Sequence, residues 1–320
     1  MLTLRLTSAE WSADALPDRF KDFVTLSTSV VIESLPFVFL GILLSIVVRF
    51  WVPDTVMHRV MPRNPMLRRA VISLFGVLLP VCECGNVPLA RGLILKGFSV
   101  PEAMTFLLAA PILNPVTIVT TYQAFGWDDG ILVGRITGGF VIANLVGWLF
   151  SRHPRPEQLL TDRFADACRI EGEHAGEARP RGWVAQRSRL RRGVIAFAEE
   201  SSTMLPALIV GSAIAGAIQV GLSRDVLAAL GSNPLWSVLA LMALAFVIAI
   251  CSNVDAFFIL SFGSTFLPGG IVAFLTFGAM VDVKMITLLK TTFTTAALVR
   301  LVAVVGLASL ALGFGVNLLV

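Results

Sequence analysis

The sequence predicts an all-α integral membrane protein made of two inverted-topology repeats, each with three full spans plus a re-entrant helical hairpin, for about 8 to 10 membrane segments. Three observations lead there. Hydrophobic residues make up 56% of the chain and charged residues 14%, with a mean hydropathy of +0.82, which leaves too little polar material to cover a soluble globule. Apolar runs such as 30–48 and 236–250 are too continuous for a soluble helical bundle. A shift of 167 positions superposes Cys84 on Cys251, Asn86 on Asn253, Pro101 on Pro268 and Pro115 on Asp282, the mark of an internal duplication.

The segment 1–22 carries mixed charge (Arg5, Glu10, Asp14, Asp18, Arg19, Lys21) and lacks the apolar core of a signal peptide, so insertion is expected to begin at the first span. Membrane repeat 1 covers 23–150. Its first span is 23–50 and its last is 130–150, running the same way, so the region between must return. That region breaks at Pro80-Val81-Cys82-Glu83-Cys84-Gly85-Asn86-Val87-Pro88 and again at Gly97 to Pro101. The pieces 70–82 and 86–98 are about 20 Å long at ~1.5 Å per residue, short of a hydrocarbon core of ~30 Å. A re-entrant hairpin turning at the cysteine motif satisfies both lengths and leaves Arg91 and Lys96 toward the cytoplasm; the alternative joins each short pair into one long bent span. Residues 102–125 then cross outward, interrupted at Ala109-Ala110-Pro111-Ile112-Leu113-Asn114-Pro115, where two prolines remove backbone donors. Non-helical backbone at that depth is tolerated only inside protein or beside a water-filled cavity, so the breaks are expected to face one another within the bundle.

A polar linker, 151–192, joins the halves and reads as a solvated loop. Membrane repeat 2, 193–320, follows the same plan: a span at 194–220, a hairpin from 237–251 and 253–265, an interrupted span at 269–289 and a last span at 292–312. An odd number of crossings per half inverts the second copy and leaves both termini outside. Charge supplies the orientation. Residues 49–69 hold five arginines against one acid and 151–192 hold ten against six, whereas the turn at Trp127-Asp128-Asp129 is acidic and the loop 221–235 has only Arg224 and Asp225. By the positive-inside rule the basic segments are cytoplasmic.

Chemistry concentrates at the breaks. Cys82, Cys84 and Cys251 fall on the two hairpin tips, with Cys168 in the linker. A membrane thiol is usually a small packing residue, but packing does not call for Glu83 between two cysteines or for the terminator after them. Three converging thiols suit a soft or sulfur-reactive solute better than an oxygen-seeking cation, and Cys82, Cys84 and Cys251 would be the ligands if a soft metal is bound. Asn86, Asn114 and Asn253 either contact substrate or cap broken helices. Helix starts at Asn86 and Asn253 would favour an anionic group between them. Intramembrane ionisable residues default to function: Glu33, Glu83, Asp255, Asp282 and Lys284. Asp282 and Lys284 read either as an ion pair or as coupling groups, and Asp255, with no local partner in sequence, is the leading group for proton coupling. Glu199 and Glu200, near the start of their span, read as interfacial.

The cysteine motif, the run Leu107 to Pro115 and the duplicated layout together resemble the predicted permeases that include the organoarsenical efflux permeases. The resemblance covers nearly all of the membrane portion. It implies a plasma-membrane carrier for trivalent arsenicals, with the family's cysteine pair on Cys82 and Cys84 and its Asn-Pro on Asn114 and Pro115. Glu83 departs from the pattern, and a carboxylate there favours a metal or a coupling ion. Two alternatives stand beside efflux of an arsenical: transport of a metal ion or of a sulfur-containing anion such as thiosulfate, and a membrane redox protein or sensor. The last lacks a Cys-x-x-Cys motif or a histidine pair, since His58, His153 and His174 lie in loops. No enzyme activity and no cofactor are expected. Expected partners are the small solute or ion and membrane lipid; a homo-oligomer stays open, and basic residues that flank spans do not read as a nucleic-acid surface.

Overall fold

The computed structural model describes residues 18–53, 61–78, 81–127, 130–174, 183–221, 234–261 and 266–319. Segment 1–17, His58, Pro80, Asp128, Asp129, linker residues 175–182, Arg224, Asp225 and the end of the second hairpin at 262–265 lie outside the described residues. The described helices are, in order, α1 Asp18–Phe50, α2 Pro65–Ser73, α3 Phe75–Leu78, α4 Glu83–Leu95, α5 Val100–Leu113, α6 Pro115–Phe125 and α7 Ile131–Ser151. After a 3-10 turn at Pro156–Leu159 come α8 Asp162–His174, α9 Trp183–Gly221, α10 Pro234–Ile248, α11 Asp255–Leu260, α12 Pro268–Met280, α13 Val283–Leu289 and α14 Thr295–Leu319.

Five helical stretches among the described residues are long and apolar enough to cross a membrane: Asp18–Phe50, Ile131–Ser151, Arg189–Gly221, Pro268–Leu289 and Thr295–Leu319. Taken as one span, the pair α5–α6, bent by 40° at Asn114, brings the number up to six. These coincide with the six full spans expected from sequence. The bend has a local cause. Pro115 cannot continue the hydrogen-bond ladder, so the chain leaves the helix at Asn114, whose side chain accepts from the Val116 amide and starts α6 afresh.

Element order repeats across the halves. The 167-residue offset carries the end of α5, Leu113, onto the end of α12, Met280, and α1, α7 correspond in position to α9, α14. Packing repeats too: α5 lies on α7 as α12 lies on α14, and α1 packs against α9. Reciprocal contacts join the halves, because α4 touches α13 while α11 touches α6. Each short helix near a cysteine break therefore rests on the broken span of the other half.

Two local expectations are corrected. The first arm of the first hairpin is not one helix but α2 and α3, and the second arm begins at Glu83 with Cys82 as its N-cap, not at Asn86. Asn86 is thus inside the first turn of α4 and caps nothing. The linker is also more than a solvated loop. Its 3-10 turn and α8 fold onto the membrane helices: Leu159, Leu160 and Phe164 are buried, the Thr161 amide donates to Thr292 O (2.9 Å), and the Thr294 amide donates to Leu159 O (2.9 Å).

The tip of α4 is set by backbone contact with α1. A Cβ at Gly41 would land on the Gly85 carbonyl, and one at Gly85 on the Phe37 carbonyl, so both helices need bare backbone there. Gly41→Leu is expected to cost about 1–3 kcal/mol and to lower the melting temperature in detergent. Gly306→Ala, whose Cβ would meet only a Phe277 ring atom at 3.7 Å, should melt like the parent.

Candidate functional site

The helix breaks converge on a buried polar cluster. On the first tip, Cys82, Glu83, Cys84 and Asn86 are all buried. On the second, α10 stops at Ile248 because Ala249 turns into the left-handed region (φ 52), and the chain runs unwound through Cys251, Ser252 and Asn253 before α11. Carbonyls freed by that unwinding need donors in an apolar interior. They are supplied from elsewhere in the second half: Gln219 Nε2 donates to Ile248 O (2.9 Å) and Lys284 Nζ to Ala249 O (3.1 Å).

Glu83 is the junction between tips. One carboxylate oxygen accepts from Lys284 Nζ at 3.2 Å; the other accepts from the Ser252 amide (3.3 Å) and hydroxyl (3.1 Å) and from the Cys251 thiol (3.8 Å). Cys82 Sγ, a Glu83 carboxylate oxygen and Cys251 Sγ all lie within 4.8 Å of one another. Cys84 adjoins both Cys82 and Lys284. The three thiols singled out from sequence are therefore together, although they come from different halves. The amides also meet: Asn114 Nδ2 donates to Val81 O (3.3 Å) and to Asn253 Oδ1 (3.4 Å), which also accepts from Thr117 Oγ1 (3.2 Å). The interrupted span and both tips thus share one hydrogen-bonded volume, as the depth argument requires.

Several charge assignments change. Asp282 and Lys284 are not primarily each other's partners. Residues two apart do not face one another on a helix; Lys284 turns to Glu83, its nitrogen 4.0 Å from Asp282 Oδ2, while Asp282 caps α13 by accepting from the Met285 amide. Asp255 does have a partner. Arg135 of α7 holds it with both terminal nitrogens (2.9 and 2.6 Å) and also donates to Thr121 Oγ1 (2.7 Å) and Ser252 O (3.4 Å). Glu200 is buried: Arg91 Nε donates to it at 2.8 Å, and the same guanidinium reaches Thr291 O, Thr292 Oγ1 and the face of Phe164 in the linker helix. Glu33 sits exposed on α1 beside this region, an electrostatic neighbour of Lys284 and Glu83.

Arg135 is the site residue that the sequence reading missed. Its signal was a single cation inside an otherwise apolar span, which had to be answered by a buried acid somewhere in the chain. The expectation of an anion at helix starts also fails. The first turn of α4 contains its own carboxylate, Glu83, and α11 begins at Asp255, so both helix starts already face negative charge.

Against this geometry the comparisons with known proteins are direct. The model of a family described as "Predicted permease" matches residues 19–318. The chain belongs to that family. It is 35% identical over 267 residues to UPF0718 protein YcgR of Bacillus subtilis, covering 83% of this chain and 86% of that one. It is 29% identical over 294 residues to a protein of Streptococcus mutans named as a putative two-component membrane permease complex subunit, covering 90% and 92%. UPF0718 protein YraQ of Escherichia coli is 26% identical over 116 residues, covering 36% and 33%. No solved structure matches the chain. Family and fold together make this a multi-pass membrane permease, all-helical among the described residues, in a family whose class of activity is transport.

Two predictions follow from the charges and thiols. Arg135→Met strands a buried carboxylate and is expected to cost about 3–5 kcal/mol, while Arg135→Met combined with Asp255→Leu recovers most of it in a double-mutant cycle followed by thermal melting. Burial pushes the Cys168 thiol of α8 up to about 11, against the lowering effect of Arg91 and Arg49. Only the thiolate alkylates, so maleimide labelling of Cys168 should be slow at neutral pH and accelerate about tenfold per pH unit between 7 and 9.5.

Proposed function

We propose that this permease carries a small thiol-reactive solute, with efflux of a trivalent arsenical the leading case, through a pocket where its halves meet. One observation carries the reading: Cys82 and Cys251, 169 positions apart in the chain, bring their sulfurs together with Glu83 within 4.8 Å in the interior. Packing alone gives no reason for thiols from two distant breaks to share a volume with a carboxylate. Cys84, Asn86, Asn114 and Asn253 complete the lining. Soft sulfur ligands match a thiophilic solute, and unwound backbone with buried amides matches a carrier's midplane site.

In this reading 23–150 and 193–320 are inverted repeats with the short helices α4 and α11 entering from opposite faces. The reciprocal contacts α4 with α13 and α6 with α11 support it, since a two-fold axis exchanges each for the other. Alternating access then rocks one half against the other around the cysteine pocket. The arginine-rich linker, 151–192, lies in the cytoplasm by the positive-inside rule, and the membrane is the plasma membrane. Proton coupling falls to the buried carboxylates, and Asp282, whose Oδ2 has no hydrogen-bond partner, is better placed to take a proton than Asp255, which Arg135 holds at both oxygens.

Flux of methylarsonous acid and of phenylarsine oxide into everted vesicles tests the proposal. Cys82→Ser and Cys251→Ser are each expected to lower it about tenfold or more, with Cys168→Ser unchanged. Equal flux in all three variants and the parent would remove the cysteine pocket from the mechanism.

A further inference from the structure

Among the described residues the charged groups around the thiols do not balance. Asp255 is answered in full by Arg135. Glu83 and Asp282 are left to share Lys284, at 3.2 and 4.0 Å, and all three are buried. Glu33 at the edge adds a further acid and no base. An anionic cargo would add a second uncompensated negative charge to this desolvated volume, and a neutral one would leave the first unanswered. A single positive charge completes it.

The ligand atoms suit such a charge. Bonds of about 2.3 Å from a central ion to each of two sulfurs reach across the 4.8 Å within which Cys82 Sγ, Cys251 Sγ and the Glu83 oxygen lie. The position is already one where positive charge points at oxygen, since the Cys251 thiol donates to Glu83 there. A second, independent feature lies on the same helix. Asn86 is fully buried, three residues after Glu83 and four after Cys82, hence on the same face of α4, and neither its amide nitrogen nor its oxygen has a partner. A buried amide left open costs free energy unless something occupies it.

We infer that the cargo of this pocket is a soft monovalent cation, of the Cu(I) or Ag(I) kind, held by Cys82, Cys251 and Glu83 with the Asn86 amide beside it. The inference rests on the cysteine pocket proposed above and keeps its thiophilic class, but it sets a cation in place of the neutral arsenical as the cargo. The thiol that becomes a ligand gives up one proton, which a carboxylate of the cluster takes, Asp282 having an Oδ2 without a hydrogen-bond partner; the surplus negative charge then sits on sulfur, and the other thiol keeps its proton. Thiolate sulfur selects the soft ion over Mg or Ca. The surplus of one carboxylate selects a monovalent ion over a divalent one.

The test uses the full chain in detergent, in a Cys168→Ser background so that the buried cysteines supply all the thiols. Ag(I), stable to oxidation, is the probe, titrated in competition with a chelator. One Ag(I) per chain is expected, with affinity reduced about tenfold or more by Cys251→Ser and by Glu83→Gln, and reduced also by Asp282→Asn, which removes charge without removing one of the three ligands. Glu83→Gln leaves Lys284 without its partner, so the double variant Glu83→Gln, Lys284→Gln provides a neutral pair; unchanged affinity in that protein overturns Glu83 as a ligand. Phenylarsine oxide or thiosulfate protecting Cys82 and Cys251 from alkylation in a protein that takes up no Ag(I) overturns the cation and leaves the pocket standing. Failure of all three probes to reach these thiols rejects the pocket itself.

Discussion

The constraint on which the rest of the structure depends is that a backbone opened inside a membrane must find every hydrogen bond and every counter-charge within the protein. This chain opens its backbone at the cysteine motif, at Asn114, at Ala249 to Val254 and at Val281 to Asp282. At two of these breaks side chains from distant elements fill the need: Asn114 bonds Val81 O at the first, and at Ala249 to Val254 Lys284 bonds Ala249 O while Glu83 accepts from Ser252. The breaks are then not separate defects but one connected object. What makes a polar pocket possible is the same set of bonds that makes the broken helices tolerable.

The pattern of these bonds joins the halves. Glu83 belongs to the first half and takes its partners, Lys284 and Ser252, from the second. Asp255 belongs to the second and takes Arg135 and Thr121, through that arginine, from the first. Neither half could bury its own charge alone, since removing the partner of a buried ion leaves a penalty far larger than the pair itself contributes. Arg91 adds a third link near the linker, joining α4 to Glu200 on α9 and to the face of Phe164 on α8.

Sequence made the repeated element order, the five or six membrane-capable helices and the positions of the breaks readable, because apolar length and proline placement are local properties. It also marked Glu83 between Cys82 and Cys84 as a placement that packing does not call for, and set Asn114 and Cys251 at breaks. Pairings were harder. Lys284 stands two residues from Asp282, and that nearness pointed to an ion pair that is present at 4.0 Å but gave no sign of the shorter one with Glu83 at 3.2 Å. Arg135 lies 120 residues from Asp255 and looked like a minor interruption in an apolar run. The linker read as solvated because its few apolar residues, Leu159, Leu160 and Phe164, are spaced for a short docked turn rather than for an amphipathic stripe long enough to register. Where α4 begins depended on Cys82 acting as a cap without using its side chain, which no residue preference announces.

At Gly41 and Gly85 two main chains meet directly, and further along the same pair Ser45 of α1 seats over Gly92 of α4. Such a contact resists separation, because lifting one rod off the other would open a void along both, and the serine keys the two lengthwise. The cysteine-bearing rod is therefore held to its neighbour. Whatever rearrangement exposes the pocket to either side should carry this pair as one body, with the bending left to Asn114 and to the unwound stretch after Ala249.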